Sequence, residues 1–291
     1  MAIKEINTYS FIGNLGGQEP RREWKEIDED RDVINCTETF ERPCLLLKPL
    51  SVLTTSLPGE NGEERRLPVL SNDEVSIELV TGASAEPAPA SRDRHLVCVQ
   101  VGGSGTVSTA KGDFVLTQGD VLALPPGVAR ANPAAGTRLV VYANKPLHVA
   151  QGYPAKDERT TAAECLLLKP SEVLNQVDEG PSGGQHFELI ENEDLMVEMT
   201  VRADSQRIYH RGFNQDEVAF QLTGQRGTRT TQGEFMLDTG DMLWIPPGCS
   251  HRNMGDMLTT RIILYTRNPL TLSQEYTSRA EQAAQSVPGS A

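Results

Sequence analysis

Apolar residues along this chain come in short runs of four to six, and glycine turns separate the runs. HLVCVQV, TVSTA, DFVLT and DVLAL follow one another through GGSG, KG and QG in residues 95–124. A second series, EVAFQL, TRTT, EFMLD and DMLWI, passes through TGQRG, QG and TG in residues 217–245. Val, Ile, Leu, Thr and Phe favour extended backbone, so short runs joined by tight glycine turns predict antiparallel strands closed into a sandwich or barrel. Helical periodicity is nearly absent. The exceptions are the charged stretch PRREWKEIDEDRD (20–32) and the tail SQEYTSRAEQAAQ (273–285), which read as short surface helices or as arms. GASAEPAPAS (82–91) and DEGPSGGQ (178–185) read as loops.

The pattern is written twice. CLLLKP at Cys44–Pro49 recurs at Cys165–Pro170, 121 residues on. The same offset carries Gly103 to Gly224, Gly119-Asp120 to Gly240-Asp241, and Pro125-Pro126-Gly127 to Pro246-Pro247-Gly248. Solenoid repeats have periods of roughly 20–50 residues, so this spacing is a duplicated domain. The division expected is an arm (1–40), an N-terminal barrel (41–150), a C-terminal barrel (151–272) and a tail (273–291), with an all-β fold and short peripheral helices.

Composition narrows the function. A net charge of -13 with 27 Lys and Arg against 40 Asp and Glu excludes a chain that neutralises nucleic-acid phosphates. No apolar run is long enough to cross a bilayer, and the opening MAIKEINTYSFIGN lacks the basic-then-apolar order of a secretory signal, so the expected location is the cytoplasm. Five cysteines without CxxC spacing indicate neither a disulfide framework nor a structural zinc site.

GDMLWIPPGCSH (240–251) matches the second signature of the cupin superfamily, G-D-x4-P-x-G-x2-H, and YHRGFNQDE (209–217) with Gly224 resembles the first, H-x-H-x3-4-E-x6-G. The chain therefore resembles a bicupin, with two tandem double-stranded β-helix (jelly-roll) barrels over residues 40–270. The resemblance implies a mononuclear metal centre in the C-terminal barrel, held by His210, Glu217 and His251. Gly212 stands where the family pattern has a second histidine, which leaves two imidazoles and one carboxylate with open coordination positions. That set is the one expected of a non-haem Fe(II) oxygenase, with Mn(II), Ni(II) and Zn(II) compatible on ligand type.

HRGFNQDE (210–217) is similar to the His-Arg-Asn…Glu stretch of the homogentisate dioxygenase group, to which hydroquinone and gentisate ring-cleaving enzymes are related. It departs at Gly212, where that group has asparagine, and in having one more residue between His and Glu. The resemblance implies ring cleavage of a small phenolic substrate by O2. Asn214 is then placed to bond a substrate oxygen, Gln221 to orient Glu217 from the same strand face, and Tyr209, Arg211 and Arg252 to flank the ligands. Trp244 reads as barrel packing and Cys249 as a buried thiol. Two alternatives stay open: a metal-dependent isomerase, decarboxylase or dehydratase, and a non-catalytic ligand-binding bicupin. The terminal extensions suit a homodimer.

The N-terminal copy carries none of these ligands. The 121-residue offset puts Arg130 at His251, Leu96 at Glu217 and Pro89 at His210, so no metal is expected there. His95 lies one residue out of register and reads as a surface histidine.

Overall fold

A computed structural model describes residues 42–56, 62–84, 93–151, 153, 165–174, 184–206 and 215–284, and by backbone alone 6–8, 23–25, 85–88, 209–211 and 285–286. The chain forms two compact units, each a largely antiparallel β-structure, with one parallel pairing of Ile6–Thr8 on Tyr209–Arg211 in the second. No helix among the described residues is long and apolar enough to cross a membrane.

The first unit comprises residues 48–148, 157–172 and 270–291 and contains the N-terminal barrel. Its sheet runs in the order Leu166–Leu168, Val121–Leu124, His95–Gly102, Arg130–Ala143, Val75–Ala88, Arg65–Ser71, Thr271–Leu272. The strand Gly105–Thr109 pairs both with the long strand Arg130–Ala143 and with Gly112–Leu116. Register shifts at Asn132 bend that long strand, as an extra unpaired residue does in any antiparallel ladder. GASAEPAPAS, read as a loop, is strand as far as Ala88: Gly82, Ser84 and Ala88 pair with Gly136, Asn132 and Arg130. The partner strand supplies hydrogen bonds that outweigh the turn-forming composition. The core packs Val80, Leu96, Cys98, Val107, Leu122, Leu124 and Val140 together. His95 is buried at 7% exposure, because both faces of His95–Gly102 are covered and not only the barrel face.

The second unit comprises residues 1–47, 149–156 and 173–269. One sheet includes Gln185–Glu191, Leu195–Arg202, Thr259–Thr266, Asp216–Thr223, Met242–Ile245 and Leu45–Leu47, in that order. The other runs Gly233–Leu237, Arg226–Thr230, His251–Met254, Tyr209–Arg211, Ile6–Thr8, Glu23–Lys25. Leu237 packs on Leu243 and Ile245, joining the two sheets in one apolar cluster.

These units correct the contiguous division at residues 150 and 151. Leu45–Leu47, from the first repeat, pairs with Met242–Trp244 of the C-terminal barrel. Leu166–Leu168, from the second, pairs with Val121–Ala123 of the N-terminal barrel. Each LLL run thus completes the sheet of the other repeat, burying Leu47 and Leu166 to 4% exposure. The tail groups with the N-terminal barrel, as helix Gln274–Ser286. The charged N-terminal stretch contains a strand at Glu23–Lys25 where a helix was one expectation, since Ile6–Thr8 offers it an antiparallel edge. Two further helices, Pro49–Ser56 and Pro170–Val173, follow the LLL runs. Proline at the first helical position loses no hydrogen bond there, and its fixed φ starts the turn.

The repeat extends to hydrogen bonding. Gln100 N donates to Asp120 O and Gly119 N to Gln100 O, and Gln221, Asp241 and Gly240 reproduce both bonds. Asp120 Oδ2 accepts from Thr117 N at 2.8 Å, and Asp241 Oδ2 from Asp238 N at 3.1 Å. The aspartate of each Gly-Asp pair therefore caps its own turn, and the glycine supplies the left-handed conformation, with φ near +92° in both copies.

Candidate metal centre

The turn at Pro246–Gly248 delivers the chain into His251–Met254, with His251 as the first residue of the strand. Its imidazole is 1% exposed. Nδ1 lies 3.0 Å from Cys249 O and donates to it, so Nε2 faces the other way, 3.2 Å from Glu217 Oε2. Glu217, 8% exposed, is set on Asp216–Thr223 between Ile245 and Tyr265. Burial alone would push the His251 pKa down. The Glu217 carboxylate, by its charge and its bond, and the Cys249 carbonyl outweigh it and raise the value to about 9.

His210 occupies the ladder position opposite His251, on the neighbouring strand Tyr209–Arg211. Its side chain, like those of Tyr209 and Arg211, lies outside the described residues, as do Asn214, Gly212 and Pro89. Among the described residues no third carboxylate, thiol or imidazole joins Glu217 and His251 in a metal-binding group.

The pair fits a metal. Two donors each about 2.1 Å from a cation and at right angles to one another stand roughly 3 Å apart, and Nε2 and Oε2 are separated by 3.2 Å. A carbonyl on Nδ1 fixes the imidazole tautomer that presents the Nε2 lone pair, the usual arrangement behind a ligating histidine.

Around the pair one wall is apolar: Met196, Ala219, Ile263 and Tyr265 form a buried cluster. The rest is polar and was not foreseen in the sequence. Arg261, 2% exposed, donates from Nε to Gln221 Oε1 at 2.5 Å, from Nη1 to Thr228 Oγ1 at 3.0 Å and to Asn253 Oδ1, and from Nη2 to Arg226 O at 3.2 Å. Burial and the Arg226 charge push its pKa down to about 9, against the pull of Glu217. Gln221 Nε2 donates to Thr223 O at 2.7 Å. Its amide is therefore committed to Arg261 and the backbone, and it does not orient Glu217 as expected. Arg252 sits opposite Arg229 on the ladder, one residue beyond His251 and so on the other face of the strand.

Trp244 is packing, as read: it is 6% exposed beneath the Arg42 guanidinium, 5.4 Å from the ring centroid. Arg42 clamps Asp216 with two bonds, of 2.8 and 2.5 Å. Cys249 is a buried thiol whose Sγ lies 3.3 Å from that of Cys44. The Cys44 hydrogen bond holds Cys249 down to about 6, and Cys44 is pushed up in turn. Nothing in the linear sequence signals a contact across 205 positions.

The architecture is that of known cupins. A cupin 2 conserved barrel domain protein from Leptotrichia buccalis superposes with a TM-score of 0.54 at 13% identity, covering 76% of this chain and 96% of its own. Salicylate 1,2-dioxygenase from Pseudoaminobacter salicylatoxidans, solved as adducts with gentisate, gives 0.56 at 11% identity, covering 84% of this chain and 89% of its own. No protein-family model matches the chain, and no curated protein does. The chain has the cupin fold.

Proposed function

We propose that the C-terminal barrel is a mononuclear non-haem Fe(II) dioxygenase that cleaves a small phenolic or related oxygenated aromatic compound. One observation carries the reading: His251 Nε2 and Glu217 Oε2 converge at 3.2 Å in the barrel interior, with His210 across the ladder from His251. Two imidazoles and one carboxylate leave positions open for two small ligands. The fold shared with a salicylate dioxygenase supports the choice of reaction, and at 11% identity it supports no more than that.

Ferrous iron, when bound, supplies Lewis acidity and a common template for a phenolic oxygen and O2. The chain's own groups do the rest. Cys249 O holds His251 in the ligating tautomer, and Glu217 brings the one negative charge. Met196, Ile263 and Tyr265 flank an aromatic ring and exclude water. Arg261 adds a buried positive charge that favours an anionic substrate, and Asn214 is assigned a bond to a substrate oxygen. Arg252 is assigned none, because its face turns away. The homodimer suggested by the terminal extensions belongs to this reading, and light scattering after size exclusion tests it.

The test is metal content of anaerobically purified protein beside His210→Ala, Glu217→Ala and His251→Ala, followed by oxygen-electrode traces with gentisate, hydroquinone and homogentisate. Near-stoichiometric iron that each variant loses, with oxygen consumed on adding one phenol, is the expected result. Iron without oxygen uptake would turn the site to isomerisation, decarboxylation or dehydration. Absence of any transition metal after reconstitution would leave a ligand-binding bicupin.

A further inference from the structure

The ladder confirms that the two barrels keep one register where the metal pair sits in the second: Arg130 pairs with Thr109 and His251 with Thr230, while Leu96 pairs with Leu124 and Glu217 with Ile245. The N-terminal barrel thus has a guanidinium at the histidine position and an isobutyl group at the carboxylate position. Arg130 is 4% exposed. Its Nη2 donates to Tyr142 Oη at 3.2 Å, and its Nη1 is buried without an acceptor among the described residues.

A second arginine joins it. Arg138 pairs with Gln100 as Arg261 pairs with Gln221, so the two arginines are equivalent. Arg261 is saturated by Gln221, Thr228, Asn253 and a carbonyl. Around Arg138 that set is not engaged: Gln100 keeps the place of Gln221, yet among the described residues neither Gln100 Oε1 nor Asn132 Oδ1 accepts a bond. Val107 stands in place of Thr228, and Asn132, in place of Asn253, gives its amide to Glu64 instead. Arg138 is 0% exposed; among the described residues its Nη2 donates to Ala134 O at 3.3 Å, and its Nε and Nη1 have no acceptor. Gly105 and Gly136 make room for it: a Cβ at 105 would stand 2.4 Å from Arg138 Nη2, and one at 136 would stand 2.6 Å from Gln100 Nε2.

Charge points the same way. Arg66 is taken by two carboxylates, with Nε on Glu64 Oε1 at 2.9 Å and Nη1 on Glu78 Oε1 at 2.8 Å, and Tyr142 Oη also donates to Glu78 at 2.8 Å. Among the described residues Arg66, Arg130 and Arg138 set three positive charges against the two negative charges of Glu64 and Glu78. The Arg130 charge opposes protonation of both Arg66 and Arg138, so the three groups share one region. A buried cation without an acceptor is costly unless a counter-charge meets it.

We propose that the interior of the N-terminal barrel binds a small monocarboxylate, its carboxylate held by Arg130 and Arg138. A carboxylate matches the planar fork of a guanidinium. Glu64 and Glu78 repel a dianion, and Leu96, Cys98 and Val140, on the same two strands as Gln100 and Arg138, make the surroundings apolar and favour a small ligand with one charge. The site stands independently of any metal in the C-terminal barrel.

Thermal unfolding and calorimetric titration of the full chain with acetate, propionate and benzoate, beside acetamide and chloride at matched ionic strength, test it. The expected result is saturable binding of about one carboxylate per chain, weakened roughly tenfold or more in Arg130→Gln and Arg138→Gln, and unchanged in His251→Ala. Carbon-13 line broadening of labelled carboxylate with wild-type protein, reversed by excess unlabelled ligand, gives the same answer if a glutamine variant does not fold. No saturable binding, undiminished binding in both glutamine variants, or equal protection by chloride would overturn the proposal.

Discussion

Buried charge decides the character of individual positions in this molecule. Glu188 faces Glu198 directly across the ladder, and burial, followed by the charges of Glu198 and Glu191, raises its pKa above the ordinary carboxylate value. A carboxyl raised in the folded state contributes stability that is fully present below its unfolded pKa and is lost as pH rises through the folded value. Glu188→Gln is therefore expected to stabilise the protein at pH 7, with the gain shrinking towards zero as the wild-type residue becomes protonated. Paired urea titrations at neutral and acid pH measure it, and a gain equal at both would show that the charge is not the cause. His186 Nδ1 stands 3.0 Å from Glu198 Oε1, so its hydrogen bond goes to the second carboxylate. At this scale the sequence announced the Glu217–His251 pair, because the cupin signature fixes both residues by local spacing. It could not announce Arg261, whose acceptors lie on three other strands, or the Cys44 contact with Cys249.

Strands and turns were more legible, since alternation and glycine punctuation are local properties. Gly224 shows why a turn residue repeats in both copies. Its φ is +70°, and a Cβ there would stand 2.9 Å from Thr259 Cγ2. Gly224→Ala is expected to cost more than about 1 kcal/mol, since strain and collision act together. Gly233→Ala has the positive φ but open space around it, so it should cost less. Denaturant midpoints of the two variants compare them directly, and the reverse order would refute the steric argument. What the elements hid was their partners. LLL carries no period that names the edge it will join, and the helices behind it begin PLSVLTTS and PSEV, sequences rich in residues that favour caps and turns over helix interiors.

For the whole molecule, duplication was plain from the constant offset, and the all-β fold followed from the strand pattern. The placement of the edge strands was not. Cutting the chain after residue 150 would leave the first half without Leu166–Leu168 and the second without Leu45–Leu47, each half still carrying the run that the other needs. Residues 1–150 and 151–291 made separately are expected to unfold or aggregate and to regain cooperative unfolding when refolded together, which calorimetry would record. Two halves that each melt cooperatively alone would contradict this. The exchange also bears on ancestry. A protein with a single repeat had no second repeat from which to receive an edge strand, so it either folded its own run back or swapped it with a twin, and a two-fold swap closes at two copies. Fusion of two such genes makes the swap permanent. A surviving single-repeat relative that swaps its run in this way is expected to be an obligate pair.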